Sequence, residues 1–208
     1  MDELESGLRD ISAIRGMMER ASKFLSLSGL SGVSAGIVAL AGAWAASWAM
    51  QQAGAQIPLP GEQRAGDAWL GRFLVADALS VLVVALACST FFSVRMAKKK
   101  GHPLWGPTTK YMLAALMIPL AAGGAFCGLL LFHGVYGLLP AVMLVFYGLA
   151  LLNAGNFTFS EVRYLGMIDI LLGLTAGFTP ALGLILWAGG FGLLHIVYGI
   201  LLYAKYEK

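Results

Sequence analysis

The chain has 208 residues, of which 59% are hydrophobic and only 12% charged, and its net charge is +3; its mean hydropathy is +0.78. A soluble domain carries roughly 25% charged residues, so the polar surface needed to coat a water-soluble fold of this size is missing. The charge pattern excludes a nucleic-acid-binding module, since it forms no basic arm or aromatic-rich basic patch, and no loop is long enough to house a soluble catalytic domain.

Residues 1–23 read as an amphipathic helix separate from the rest. Leu4, Leu8, Ile11, Ile14, Met18 and Ala21 recur every three or four positions and make one apolar face. Such a helix lies on the inner leaflet or against cytoplasmic loops; the alternative is a docking face for a membrane partner or a second copy. Its many acids argue against strong binding to anionic lipid. A cleaved secretory leader is not expected, because acids and bases are mixed here and the following apolar run is long enough to span a bilayer.

Residues 24–208 read as an all-α, polytopic membrane helical bundle of six transmembrane helices. The spans are Phe24 to Met50, Ala68 to Phe92, Tyr111 to Phe132, Leu138 to Asn153, Tyr164 to Pro180 and Leu182 to Ala204. The fourth and fifth are short, and a re-entrant pair is the alternative there. The stretch Gln51 to Asp67 reads as a flexible outer connector. Six crossings place twelve of the fourteen Lys and Arg on one side, leaving only Arg64 and Arg72 on the other. The positive-inside rule then puts both termini in the cytoplasm.

Small residues mark the contacts between helices. Ser28, Gly32 and Gly36 stand four apart on span one, a pattern that lets two backbones approach closely. The partner is either another span of this chain or another protomer, so a homo-oligomer through span one stays open. Span six carries Gly183, Gly189, Gly190, Gly192 and Gly199, which implies close packing or flexibility. Pro119 falls inside span three and is expected to kink it. Cys88 and Cys127 lie in apolar blocks and read as buried free thiols.

Two pieces of sequence recur. His133 to Gly137 and His195 to Gly199 both read His-x-Val-Tyr-Gly, and Arg72-Phe73-Leu74 before Asp77 resembles Arg163-Tyr164-Leu165 before Asp169. Spans two and five, and spans three and six, would then correspond in a 3+3 inverted repeat, a plan used by transporters. Chance similarity among Gly- and Leu-rich helices is the competing explanation, and spans one and four do not match.

An ionisable group inside a span costs at least ~2.5 kcal/mol and needs a partner or a reason. Asp169 and His195 fall on adjacent antiparallel spans at similar depth, so a direct hydrogen bond is expected. They are either a titrating, proton-coupling step or a polar clasp that fixes helix register. Asp77 and His133 could pair nearer the outer side, where Asp77 can also turn toward Arg72. Glu161 and Arg163, in the polar stretch from Asn153, are expected to pair or face water, with a role at the inner mouth as the sharper alternative. Ser160 is the expected cap of span five.

With three His in all, one in the basic loop (His102) and two at opposite leaflets, neither a metal site nor a haem is expected, and no cofactor is implied. Nucleotide-binding and hydrolase motifs are absent, so an enzyme is not expected.

The stretches Met17 to Gly32, Tyr147 to Ala150, Glu161 to Gly166 and Gly192 to Tyr206 resemble an uncharacterised family of bacterial multi-pass membrane proteins of unknown function. The resemblance covers about half the chain and implies only a bacterial inner (cytoplasmic) membrane location. Two functions fit the residues: a small secondary transporter or ion-coupled permease, and a non-transporting membrane sensor, scaffold or assembly subunit.

Overall fold

The computed structural model describes residues 28–54, 67–100 and 105–208, and every element among them is helical. The expected amphipathic helix of residues 1–23, most of the outer connector and His102 lie outside the described residues. Helix α1 is Gly29–Gln52, α2 Asp67–Lys100, α3 Pro107–Phe132, α4 Leu139–Ala154 and α5 Ser160–Phe178. The last helix comes in three joined pieces: α6 Gly183–Trp187, a π-helical stretch Ala188–Leu194, and α7 His195–Tyr206. Single 3₁₀ turns, Tyr136–Leu138 and Pro180–Leu182, lead into α4 and α6.

Five of the described helical segments are long and apolar enough to cross a membrane: Gly29–Gln52, Trp69–Lys99, Pro107–Phe132, Tyr136–Ala154 and Pro180–Tyr206. This is the architecture of a membrane-embedded helical protein. Helix α5 has 19 residues but carries Glu161, Arg163 and Asp169, which sets it apart from the five by composition. It nonetheless runs antiparallel to α4 along its whole length. Gly155 packs on Arg163, Gly148 on Gly166, and Ala141 on Gly173. The fourth and fifth expected spans thus form an antiparallel helical hairpin.

Glycine decides where helices touch. A Cβ on Gly148 would sit 2.5 Å from the Gly166 carbonyl oxygen, and one on Gly166 would sit 2.6 Å from the Gly148 oxygen. The stripe on α1 has its partner within the chain. Gly32 meets the Gly199 Cα, and a Cβ on Gly36 would come within 2.5 Å of the Gly192 oxygen. Gly192 and Gly199 of the last helix are therefore close-contact positions against α1, with backbones as near as small residues permit. Glu207 completes this pairing by accepting hydrogen bonds from the Gly29 N–H and the Ser28 hydroxyl.

Helices α1 and α4 form the centre. Ala39 and Ala43 of α1 cluster with Leu144 of α4 and Trp187 of α6. Helix α1 carries α2 on one flank and the last helix on the other, and α4 carries α5 and α3 in the same way. Helices α2 and α3 are peripheral, with only 6% of each apolar window buried. Leu82, Val83, Leu86, Ile118 and Leu129 point outward, as lipid-facing side chains do. Pro119 is buried within α3, which stays helical on both sides of it. The fifth helix starts with Phe159 as its capping residue, and Ser160 instead donates its hydroxyl to Glu161, so the cap expected of Ser160 is not made.

Candidate functional site

The polar centre of the bundle is built by α4, α5 and the π-helical stretch. Asp169 on α5 is 0% exposed, and neither of its carboxyl oxygens has a hydrogen-bond partner. His195, at the end of the π-helical stretch, is 6% exposed. The two residues share the buried centre, but the expected bond between them is not formed, because both ring nitrogens of His195 are already engaged. Nδ1 lies 2.8 Å from the Gly190 carbonyl and Nε2 lies 2.7 Å from the Tyr147 hydroxyl. A carbonyl can only accept, so Nδ1 carries the proton, and in the neutral ring the Tyr147 hydroxyl donates to Nε2.

The π-helical geometry makes this possible. The Gly190 carbonyl is five residues before His195 and is taken by the ring of that residue. π-bulges of this kind recur at functional sites. Gly190 also stands between the two groups that the sequence led us to pair. A Cβ there would meet Leu144 Cδ2 at 2.5 Å and Asp169 Oδ1 at 2.7 Å, so the carboxyl oxygen rests on the bare α-carbon of Gly190. Trp187, Phe191 and His195 form an aromatic row along the last helix, with Phe191 centred 5.0 Å from Trp187 and 4.8 Å from Tyr147. The Trp187 indole N–H and the Tyr198 hydroxyl are buried without partners.

Among the described residues no cation stands ready to neutralise Asp169. The helices packed against α5 are α4 and the last helix. Helix α4 contains no Lys or Arg, and the last helix has none before Lys205. Lys205 is itself paired with Glu161. A bare carboxylate in such a place is very costly, which marks Asp169 as the group in need of an explanation.

The other candidates sit elsewhere. Asp77 on α2 is half-buried and faces α1, with Oδ2 3.5 Å from the Cβ position of Gly42. It lines an open groove with Val38, Ala41, Ser80, Val81 and Val84. His133 ends α3, exposed and edge-on to Phe132. These two do not form an outer pair, because α2 lies along α1, α3 lies along α4, and the two helices have little contact. Glu161 pairs with Lys205 and with the Tyr206 hydroxyl, 3.1 Å away, and Arg163 is exposed with its stem over Gly155. Of the two expectations for Glu161 and Arg163, to pair or to face water, the pair is not formed: Arg163 faces water and Glu161 ties α5 to α7. Cys88 and Cys127 are free thiols.

Sequence reasoning missed Tyr147 and Gly190. A Tyr in the middle of an apolar span was a usable signal, since its hydroxyl needs a partner. Among the described residues no three His, Cys, Asp or Glu side chains converge as metal ligands would. No family model matches the chain, and no curated protein or solved structure is similar to it.

Proposed function

We propose that the protein is a small secondary transporter or ion-coupled permease of a bacterial inner membrane, with Asp169 as the residue that takes up and releases the coupling ion. The observation that carries this reading is the isolation of Asp169, which is fully buried with neither oxygen bonded. A carboxyl kept only to hold helices together would be hydrogen-bonded across them, and this one is not. His195 is reassigned as the clasp, with its ring tying α4 to the last helix through Tyr147.

In this reading α5 is a sixth crossing, at about 28 Å for 19 residues at 1.5 Å each. The twelve-to-two distribution of Lys and Arg then supports cytoplasmic termini. The order of helix contacts supports the inverted repeat as well. Exchanging α1 with α4, α2 with α5, and α3 with the last helix maps the α1–α2 packing onto α4–α5 and the packing of the last helix on α1 onto that of α3 on α4, while the contact of the last helix with α5 has no comparable counterpart between α3 and α2. Membership of the resembled bacterial family belongs to the same proposal.

The test is flux in reconstituted vesicles under proton and alkali-cation gradients, comparing wild type with Asp169→Asn. Flux in the wild type that is lost in a folded Asp169→Asn protein is the expected result. Equal flux in both proteins would remove Asp169 from the transport path.

The second reading is a non-transporting membrane module, and one observation favours it. The grooves at Asp77 and at Glu161 do not include Asp169 in their walls. An impermeant thiol reagent separates the two readings. In a protein lacking Cys88 and Cys127, a cysteine at position 169 that stays unlabelled from both membrane sides supports the module.

A further inference from the structure

The two halves of the chain hold the same parts in different arrangements. The correspondence between α3 and the last helix is longer than one motif: Gly128 to Gly137 and Gly190 to Gly199 both follow Gly-x-x-Leu-x-His-x-Val-Tyr-Gly. Asp77 lies ~15 Å along α2 and Asp169 ~14 Å along α5 from the start of each helix, at 1.5 Å per residue. In the C-terminal half the last helix closes on α5, and Asp169 rests on Gly190. In the N-terminal half α3 stands apart from α2, Asp77 lines an open groove, and nothing lies within 4 Å of the Cβ position of Gly128 or Gly124.

We propose that Asp77 is a second cation-binding station, the counterpart of Asp169, and that α3 closes over it when the last helix withdraws from Asp169. This rests on the permease reading above. The ligand class is a monovalent cation, proton included, because each station offers one carboxyl among aliphatic walls. Around Asp77 these are Val38, Val81 and Val84, with the Ser80 hydroxyl, which donates to the Asp77 backbone carbonyl, as the one further polar side chain among the described residues of the groove. Helix α1, which Asp77 faces, carries no ionisable residue, so the groove supplies no counter-ion of its own from that side. Because α2 and α5 start from opposite faces in six crossings, the two carboxyls lie toward opposite sides of the membrane. One closed and one open crevice is the asymmetry required of a carrier that exposes its site alternately. The closed state of the N-terminal half is then legible from the C-terminal half: Gly128 approaches Asp77 as Gly190 now approaches Asp169.

The test is cross-linking in native membranes. Cys88 and Cys127 are replaced by Ala, and Asp77→Cys is combined with Gly128→Cys. A second pair, Val81→Cys with Gly124→Cys, lies one turn deeper on both helices and preserves Asp77. A third cysteine, Asp169→Cys, reports access to an impermeant thiol reagent. Oxidation is expected to join either pair, and the joined protein is expected to label at position 169 about tenfold faster, as a minor state becomes the major one. Failure of both pairs to join in folded protein overturns the proposal, and so does joining that leaves labelling at 169 unchanged. Joining with faster labelling, where the wild-type protein with Asp77 and Asp169 intact shows no flux for protons, sodium or potassium, would keep the paired motion and overturn the permease reading alone.

Discussion

The Tyr147 hydroxyl lies 2.7 Å from His195 Nε2, and this bond is the polar link between α4 and the last helix at the level of Asp169. Removing it by Tyr147→Phe leaves Nε2 without a donor while keeping the ring contacts to Phe191 and His195. Interhelical hydrogen bonds in membrane bundles contribute about 0.6 kcal/mol on average and up to about 1.7. A loss in that range is expected by thermal unfolding in detergent. His195→Ala is expected to cost more, because it also frees the Gly190 carbonyl and empties part of the aromatic row. A double-mutant cycle that shows simple additivity for these two residues would sink the clasp, since bonded partners should be coupled.

Gly190 and Gly189 make a matched pair for testing the site. A Cβ on Gly190 would press on Leu144 and on Asp169 Oδ1, whereas one on Gly189 meets nothing within 4 Å. Overpacking costs typically about 1–3 kcal/mol, so Gly190→Ala should be destabilising and should displace the Asp169 carboxyl. Gly189→Ala should be neutral or mildly stabilising, since Ala exceeds Gly in helix propensity by up to about 1 kcal/mol. Melting temperatures of the two variants in one detergent decide the matter, and the reverse order would contradict the packing described here.

Much of this arrangement was legible in the sequence. The apolar blocks give the helix positions within a few residues, because span length is fixed by the bilayer, except that α2 runs on to Lys100 instead of stopping at Phe92. The Ser28–Gly32–Gly36 stripe identifies a contact face, and the buried charges single out Asp169 and His195. What pairs with what was not legible. Four-residue spacing says that α1 has a close neighbour without saying which, and Gly192 and Gly199 supply the answer only once folded. The Asp169–His195 bond was a fair expectation from depth alone. It failed because a π-helical turn, which no residue pattern announces, brings the Gly190 carbonyl to the histidine ring. Glu161 and Arg163 were expected to pair or to face water; Arg163 does face water, and Glu161 takes Lys205 of the last helix, which no local spacing announces.

Close approach of α1 to the last helix makes a third expectation. A Cβ on Gly36 would come within 2.5 Å of the Gly192 carbonyl oxygen and 2.6 Å of the Ile196 side chain, and backbone cannot step aside as a flexible side chain can. Gly36→Ala should therefore push the two helices apart and cost about 1–3 kcal/mol, the usual range for overpacking. Gly124→Ala on α3, where the Cβ position is open, is the control and should leave stability nearly unchanged. Folded, monodisperse yield by size exclusion after mild heating gives the comparison. Equal losses in both variants would mean that the α1 contact is looser than described.

The tie at the end of the chain gives a pH dependence with a definite sign. Glu161 stands in the first turn of α5, ahead of Tyr164, and its carboxylate holds Lys205 and Tyr206. Partial burial pushes this carboxyl up, but hydrogen bonds from Lys205 and Tyr206 and the Lys205 charge outweigh it, so the group sits below its ordinary value of 4.5. A folded pKa lower than the unfolded one means that folding favours the ionised form. The contribution is then complete above the ordinary carboxylate range and disappears as pH falls through the folded value. Glu161→Gln should be less stable than wild type at neutral pH, and the gap should close once the pH drops below that range. The size should be modest, because Lys205 is 62% exposed and exposed pairs are screened. Thermal unfolding of both proteins across the acid range measures the gap, and a difference that persists at the lowest pH would show that Glu161 acts there by packing and not by charge.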